Sequence, residues 1–241
     1  MDYALILVVG LVAGTVGGII GFGSSIMLMP VLVLAFGPQQ AVPVMAIAAL
    51  MANLSRVAAW WRTIDWRAVV AYSSTAVPGA ALGARTLLVL PPRAVEVALG
   101  LFFIAMIGVR RVLAAHDVRL APWHLAVAGA FIGFLTGVVA STGPITVPVF
   151  LAYGLVKGAF IATEAAASLA VYAAKVVVFR SFGALPLDVI AKGAITGSTL
   201  MAGAFIARRF VLTMPAERFR HLMDGVLLLS GVALLALALR G

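Results

Sequence analysis

Two short stretches combine residues that interrupt a helix with residues that hold an anion. Gly21–Phe22–Gly23–Ser24–Ser25 falls within the apolar run 4–36, and Ala140–Ser141–Thr142–Gly143–Pro144 within the run 123–153. Glycines let backbone approach a ligand, and the hydroxyls add donors. A half-helix starting after each break offers its first N–H groups and a partial positive charge of about half a unit. Ser24 is placed to cap the first half-helix, with Ser25 beside its first N–H groups. Pro144 suits the first helical position, which leaves Gly143 or Thr142 as the second cap. Two such ends facing one cavity suit a small anion. The candidate binding residues here are Gly23, Ser24, Ser25, Ser141, Thr142 and Gly143. Gly10, Gly14, Gly18, Gly79, Gly83, Gly129, Gly133 and Gly137 are not joined to a half-helix start, and close helix packing is the preferred reading for them.

Ionisable and polar residues inside apolar segments are the next candidates, because burying them away from water is expensive. Arg56 and Lys175 either snorkel to the interface or supply charge to an anion path. Asn53 lies one helical turn before Arg56, and Tyr172 holds the matching place before Lys175; either can hydrogen-bond an anion or a neighbouring helix. Glu164 is a partner for its helix dipole or a protonatable coupling group. Asp224 pairs most simply with Arg220 or Arg208.

The elements that must position these residues follow from composition. The 241-residue chain is 64% hydrophobic and 10% charged, against roughly 25% charged in a soluble domain. The class is an all-α polytopic membrane protein with one transmembrane domain, 1–241. Apolar segments run over 4–36, 40–61, 67–89, 93–113, 123–153, 157–180, 187–211 and 215–239. A transmembrane barrel would need shorter, alternating segments. The first basic residue is Arg56, so the first apolar segment is expected to remain in the protein. The net charge of +9 fits basic loops that hold one face in the cytoplasm better than it fits nucleic acid.

The chain also repeats. Gly10, Gly14 and Gly18 recur as Gly129, Gly133 and Gly137; Pro30 answers Pro148, Arg56 answers Lys175, and Arg85 answers Arg208. These offsets predict two homologous four-segment repeats, 1–115 and 120–241, each starting with a Gly-broken or re-entrant helix. If both long segments dip in and return, the repeats are inverted and the basic residues split 11 to 6 between the faces. Full crossings give a weaker bias. The charge rule therefore favours the hairpins.

The residues at the breaks resemble a known family. "GFGSSIMLMPVLVLAFG" and "GVVASTGPITVPVFLAYG" are similar to the two glycine-rich signatures of the sulfite exporter TauE/SafE family of membrane transporters, and "STAVPGAALGARTLLVLPP" resembles the segment that follows the first. Ser24, Ser25 and Ala140–Ser141–Thr142 stand where the family pattern has glycines, which makes this site richer in hydroxyls. The resemblance implies transport of sulfite, sulfonates such as sulfoacetate, and related anions across the bacterial inner membrane, by a multi-pass protein.

Other classes fit less well. His116, His124 and His221 lie at loops or interfaces and the acids are scattered, so a membrane-embedded enzyme is not expected. There is no cysteine, no nucleotide-binding loop, and no metal or cofactor is expected. An anion channel is the main alternative to a secondary transporter. The partners expected are a small anion and the lipid bilayer, with no nucleic acid. The glycine ladders serve internal packing or a homodimer contact equally well.

Overall fold

A computed structural model describes residues 3–20, 23–115, 119–139, 142–155 and 157–207, with scattered positions from 225 onward. Ser141 and Asp224, with Arg208, Arg220, His116 and His221, lie outside the described residues.

Among the described residues the regular structure is helical. The order is α1 (Tyr3–Ile20), α2 (Ser24–Phe36), α3 (Pro38–Trp60), a 3-10 turn (Trp61–Thr63), α4 (Trp66–Val89), α5 (Pro92–Ala115), α6 (Pro122–Val138), α7 (Gly143–Ala152), α8 (Lys157–Ser181) and α9 (Leu187–Ala207). The run 4–36 is thus divided between α1 and α2, and the run 123–153 between α6 and α7. Local chemistry sets several of the ends. Pro38, Pro92 and Pro122 open their helices, where the missing N–H has no partner to lose. Asp65 caps α4, accepting from the Ala68 N–H at 3.1 Å. Between α2 and α3 the chain turns through Gly37 at φ 76°, a left-handed conformation that favours glycine.

The core is apolar with a few polar residues inside it, and the outer surface is apolar as well. Leu5, Val8, Val70, Val127, Phe131 and Val177 are exposed, whereas Asn53, Thr136, Thr142, Glu164 and Lys175 are buried. Such a surface suits lipid, and helices α3, α8 and α9 are each long and apolar enough to cross a membrane.

The interior is organised around the antiparallel contact of α3 with α8. Helix α9 packs on α3, and α4 packs on α8; α1 lies against α9, and α6 against α4. The outer pairs approach through small residues. A Cβ at Gly14 would collide with the Leu200 backbone, and one at Gly18 with Ala204 and Ala207. On the other side, a Cβ at Gly133 would strike the Ala76 backbone and one at Gly137 the backbone of Ala80 and Ala84. These glycines therefore bring backbones together within the chain, the packing use anticipated for them. Replacing Gly133 by Leu should lower stability by about 2 kcal/mol or more, the scale of overpacking a closed contact. Gly108→Leu, where a Cβ meets nothing within 4 Å, should be near neutral. Thermal unfolding of the two purified variants in detergent checks the contrast.

Candidate functional site

A small polar cavity lies where α2, α3, α4, α6, α7 and α8 converge. Its wall contains Gly23, Ser24 and Ser25 from the first break, Thr142 and Gly143 from the second, and Asn53, Arg56, Glu164 and Tyr172 from the central helices. Its volume is about 30 Å³, far below the several hundred Å³ of a drug-sized pocket. A compact ligand of a few heavy atoms fits this scale.

The first break enters α2 differently from the expected cap. Gly23, at φ 99°, holds the N-cap position and Ser24 is the first helical residue, with no side-chain capping bond. The chain needs a left-handed residue to start α2 here, and Gly23 supplies it without a Cβ clash. Ser24 instead packs on α1, where it fills the space a Cβ on Gly17 would need. Ser25 is buried in the cavity wall.

At the second break Thr142 is the N-cap of α7, Gly143 the first helical residue and Pro144 the second. The Thr142 carbonyl accepts from the N–H groups of Ile145 at 2.9 Å and Thr146 at 3.0 Å. Its hydroxyl pairs with that of Thr136 on α6 and lies 3.4 Å from the Thr146 hydroxyl. Thr136 also donates to the Ile132 carbonyl at 2.7 Å, and Thr146 to the Thr142 carbonyl at 3.0 Å. Three hydroxyls thus line one edge of the cavity, on both sides of the break.

The central helices add the charge. The Arg56 guanidinium donates to Glu164 Oε2 at 3.4 Å, bridging α3 and α8, and to Asn53 Oδ1 one turn back. The Asn53 amide donates to the Ala49 carbonyl at 2.8 Å, and Ser168 donates to Glu164 Oε1 at 2.8 Å. Glu164 therefore pairs across helices, rather than serving its own helix dipole.

The sequence model described as "Sulfite exporter TauE/SafE" matches residues 6–234. The chain belongs to the TauE/SafE sulfite exporter family. That family comprises membrane transporters of sulfur-containing anions, and the match takes in both breaks and both central helices. No curated protein and no solved structure shows significant similarity to the chain.

Within this family member, Gly23, Ser24, Ser25, Thr142, Gly143, Asn53, Arg56, Tyr172 and Glu164 share one wall, although they come from four helices and their caps. Lys175 is placed apart from it. Its side chain is fully buried, and its ammonium donates to the carbonyls of Thr136 at 2.5 Å and Val139 at 3.1 Å. It lies over the rings of Tyr172 at 5.4 Å and Phe179 at 5.9 Å. A cation beside the last carbonyls of α6 complements the negative end of that helix dipole. Neither snorkelling nor direct exposure to the cavity describes it.

Sequence reading passed over Tyr72, Thr136, Thr146 and Ser168, all in the cavity wall. A usable signal existed on α8. Glu164, Ser168, Tyr172 and Lys175 recur at spacings of four, four and three, which puts them on one face of the helix. Tyr72 and Thr136 had no such stripe. Removing the Lys175 ammonium should leave two buried carbonyls without their donor, at roughly 1–3 kcal/mol each. Lys175→Met is accordingly expected to melt several degrees below the native protein, a shift read by thermal unfolding in detergent.

Proposed function

We propose that the protein is a secondary transporter that carries small sulfur-containing anions, sulfite or sulfonates such as sulfoacetate, across the bacterial inner membrane. The observation that carries this reading is the cavity itself. The starts of α2 and α7, the Thr136–Thr142–Thr146 hydroxyls and the Arg56 guanidinium all border one small buried space. Helix N-termini and hydroxyls donate hydrogen bonds to oxyanions, and they do so most strongly where water is scarce. In this reading an oxyanion sits between Ser25 and Thr142, with Asn53 and Tyr172 as further polar contacts.

The halves 1–115 and 120–241 are read as inverted repeats within one transmembrane domain. The support is paired packing: α1 meets α9 as α6 meets α4, and α3 meets α9 as α8 meets α4. The glycine contacts repeat too, with Gly14 on Leu200 and Gly133 on Ala76. Broken helices from two repeats meeting at a central site are a recurring transporter design. The inverted arrangement puts the α3 C-terminus and α8 N-terminus on the cytoplasmic side, with Arg62 and Arg67.

The test is flux into liposomes holding the purified protein, with sulfite, sulfoacetate, sulfate and chloride offered in turn. Saturable uptake of the sulfur oxyanions is expected, and a non-saturating current would favour a channel. Ser25→Ala with Thr142→Val should weaken apparent affinity about 10-fold or more, since a hydrogen bond to a charged group contributes about 1.5–3 kcal/mol. Unaltered saturable flux in that double variant would remove the site from the breaks.

A further inference from the structure

Arg56 borders two cavities, and its partner Glu164 borders the larger of them. On one side lies the substrate cavity, bordered by Ala49 and Asn53 on α3 and by Ser168 and Tyr172 on α8. On the other lies a smaller crevice of about 20 Å³, bordered by Ser55, Ala59 and Trp60 on α3 and by Ile161 on α8. Arg56 belongs to both walls. Because α3 and α8 run antiparallel, with Trp60 against Gly158, the crevice continues from the pair toward the Trp60 end of α3.

Resting on the anion-transport reading, we propose that Glu164 binds a proton as the second transported species: an incoming monovalent anion takes Arg56 from Glu164, and the released carboxylate takes up one proton.

The argument is one of charge conservation in a buried space. Arg56 and Glu164 together carry no net charge, and their side chains are 12% and 6% exposed. An anion added to an intact pair would leave one uncompensated negative charge away from water, which is strongly unfavourable. With the anion on Arg56 and a proton on Glu164, the site is neutral again. The charges balance as one cationic guanidinium, one anion and one neutral carboxylic acid. The proton comes from water entering the substrate cavity, whose wall includes Glu164, and leaves when the anion departs and the pair closes. Ser168 remains as a hydrogen-bond partner for the neutral acid, its hydroxyl already 2.8 Å from Oε1.

The geometry of the pair suits exchange. At 3.4 Å the contact is longer than a close charge-assisted bond of about 2.7–2.9 Å, and Asn53 holds the guanidinium in place from its other side. Among the described residues, Arg56 is the cation that meets the carboxylate. From α4, Tyr72 faces the same cavity, and on α8 itself so does Tyr172; Lys175 is bonded to the α6 carbonyls. Asp65 caps α4, and Arg62 lies over the exposed Trp61 ring. The first half has no carboxylate to match on α3: Met45 holds the place that corresponds to Glu164 at the offset relating Arg56 to Lys175. One proton per anion follows from one acid.

Methanesulfonate separates the cases, because a sulfonate stays ionised at any working pH and cannot carry the proton itself. Liposomes containing the full-length protein, one pH unit more alkaline inside, should accumulate it up to about tenfold, with little effect of an imposed potassium diffusion potential. Glu164→Gln, neutral at every pH, should lose the pH-driven accumulation while equilibrating methanesulfonate in response to voltage. Saturable native flux that follows voltage and ignores the pH gradient overturns the proton proposal and leaves the transport reading standing. No protein-dependent movement of any sulfur anion overturns both. If Glu164→Gln fails to fold, the native voltage and pH dependence still decides.

Discussion

A helix that ends in a buried interior leaves backbone carbonyls and amides that only neighbouring protein groups can satisfy, and the break between α6 and α7 meets that constraint. Helix α6 ends at Val138 and α7 begins at Gly143. Lys175 reaches from α8 to the carbonyls of Thr136 and Val139, while Thr142 and Thr146 close hydrogen bonds on the other side of the break. The charged residue on α8 is therefore part of what makes an interrupted helix tolerable.

The two breaks are handled by different means. Lys175 lies 119 positions after Arg56, the offset that separates Gly10 from Gly129, yet Lys175 bonds carbonyls while Arg56 bonds a carboxylate. Glu164 makes the difference, since the first half has no acid in its corresponding place. An architecture with paired packing thus carries an unpaired electrostatic element at its centre. That element lies on the α3–α8 contact, the one interface that joins the two central helices directly. A change in this pair touches both of those helices.

Close approach is the second condition. Helices α1 against α9 and α6 against α4 are drawn together by glycine and alanine, with backbone taking the place of side chains. Bulkier residues there would push the outer helices away and open the wall formed by Ser25 and Thr142. Lipid supplies no hydrophobic drive between helices, so small-residue packing carries the association.

Much of this was legible in the residues. Sustained apolar runs dictated helices, because no other open structure satisfies backbone groups in lipid, and prolines with glycines marked where those helices start and stop. The interruption of 4–36 and 123–153 could be read in the same way, as could the interest of Asn53, Arg56, Glu164 and Tyr172, since polar residues among apolar ones rarely lack a use. Only tertiary structure decided the partners. Nothing in the sequence ties Arg56 to Glu164, 108 positions away, or directs Lys175 to a helix end. Tyr72 and Thr146 enter the wall because α4 and α7 fold against α8 and α6. Local sequence determines backbone conformation through short-range sterics and hydrogen bonding. Which side chain neutralises which charge depends on the meeting of distant helices.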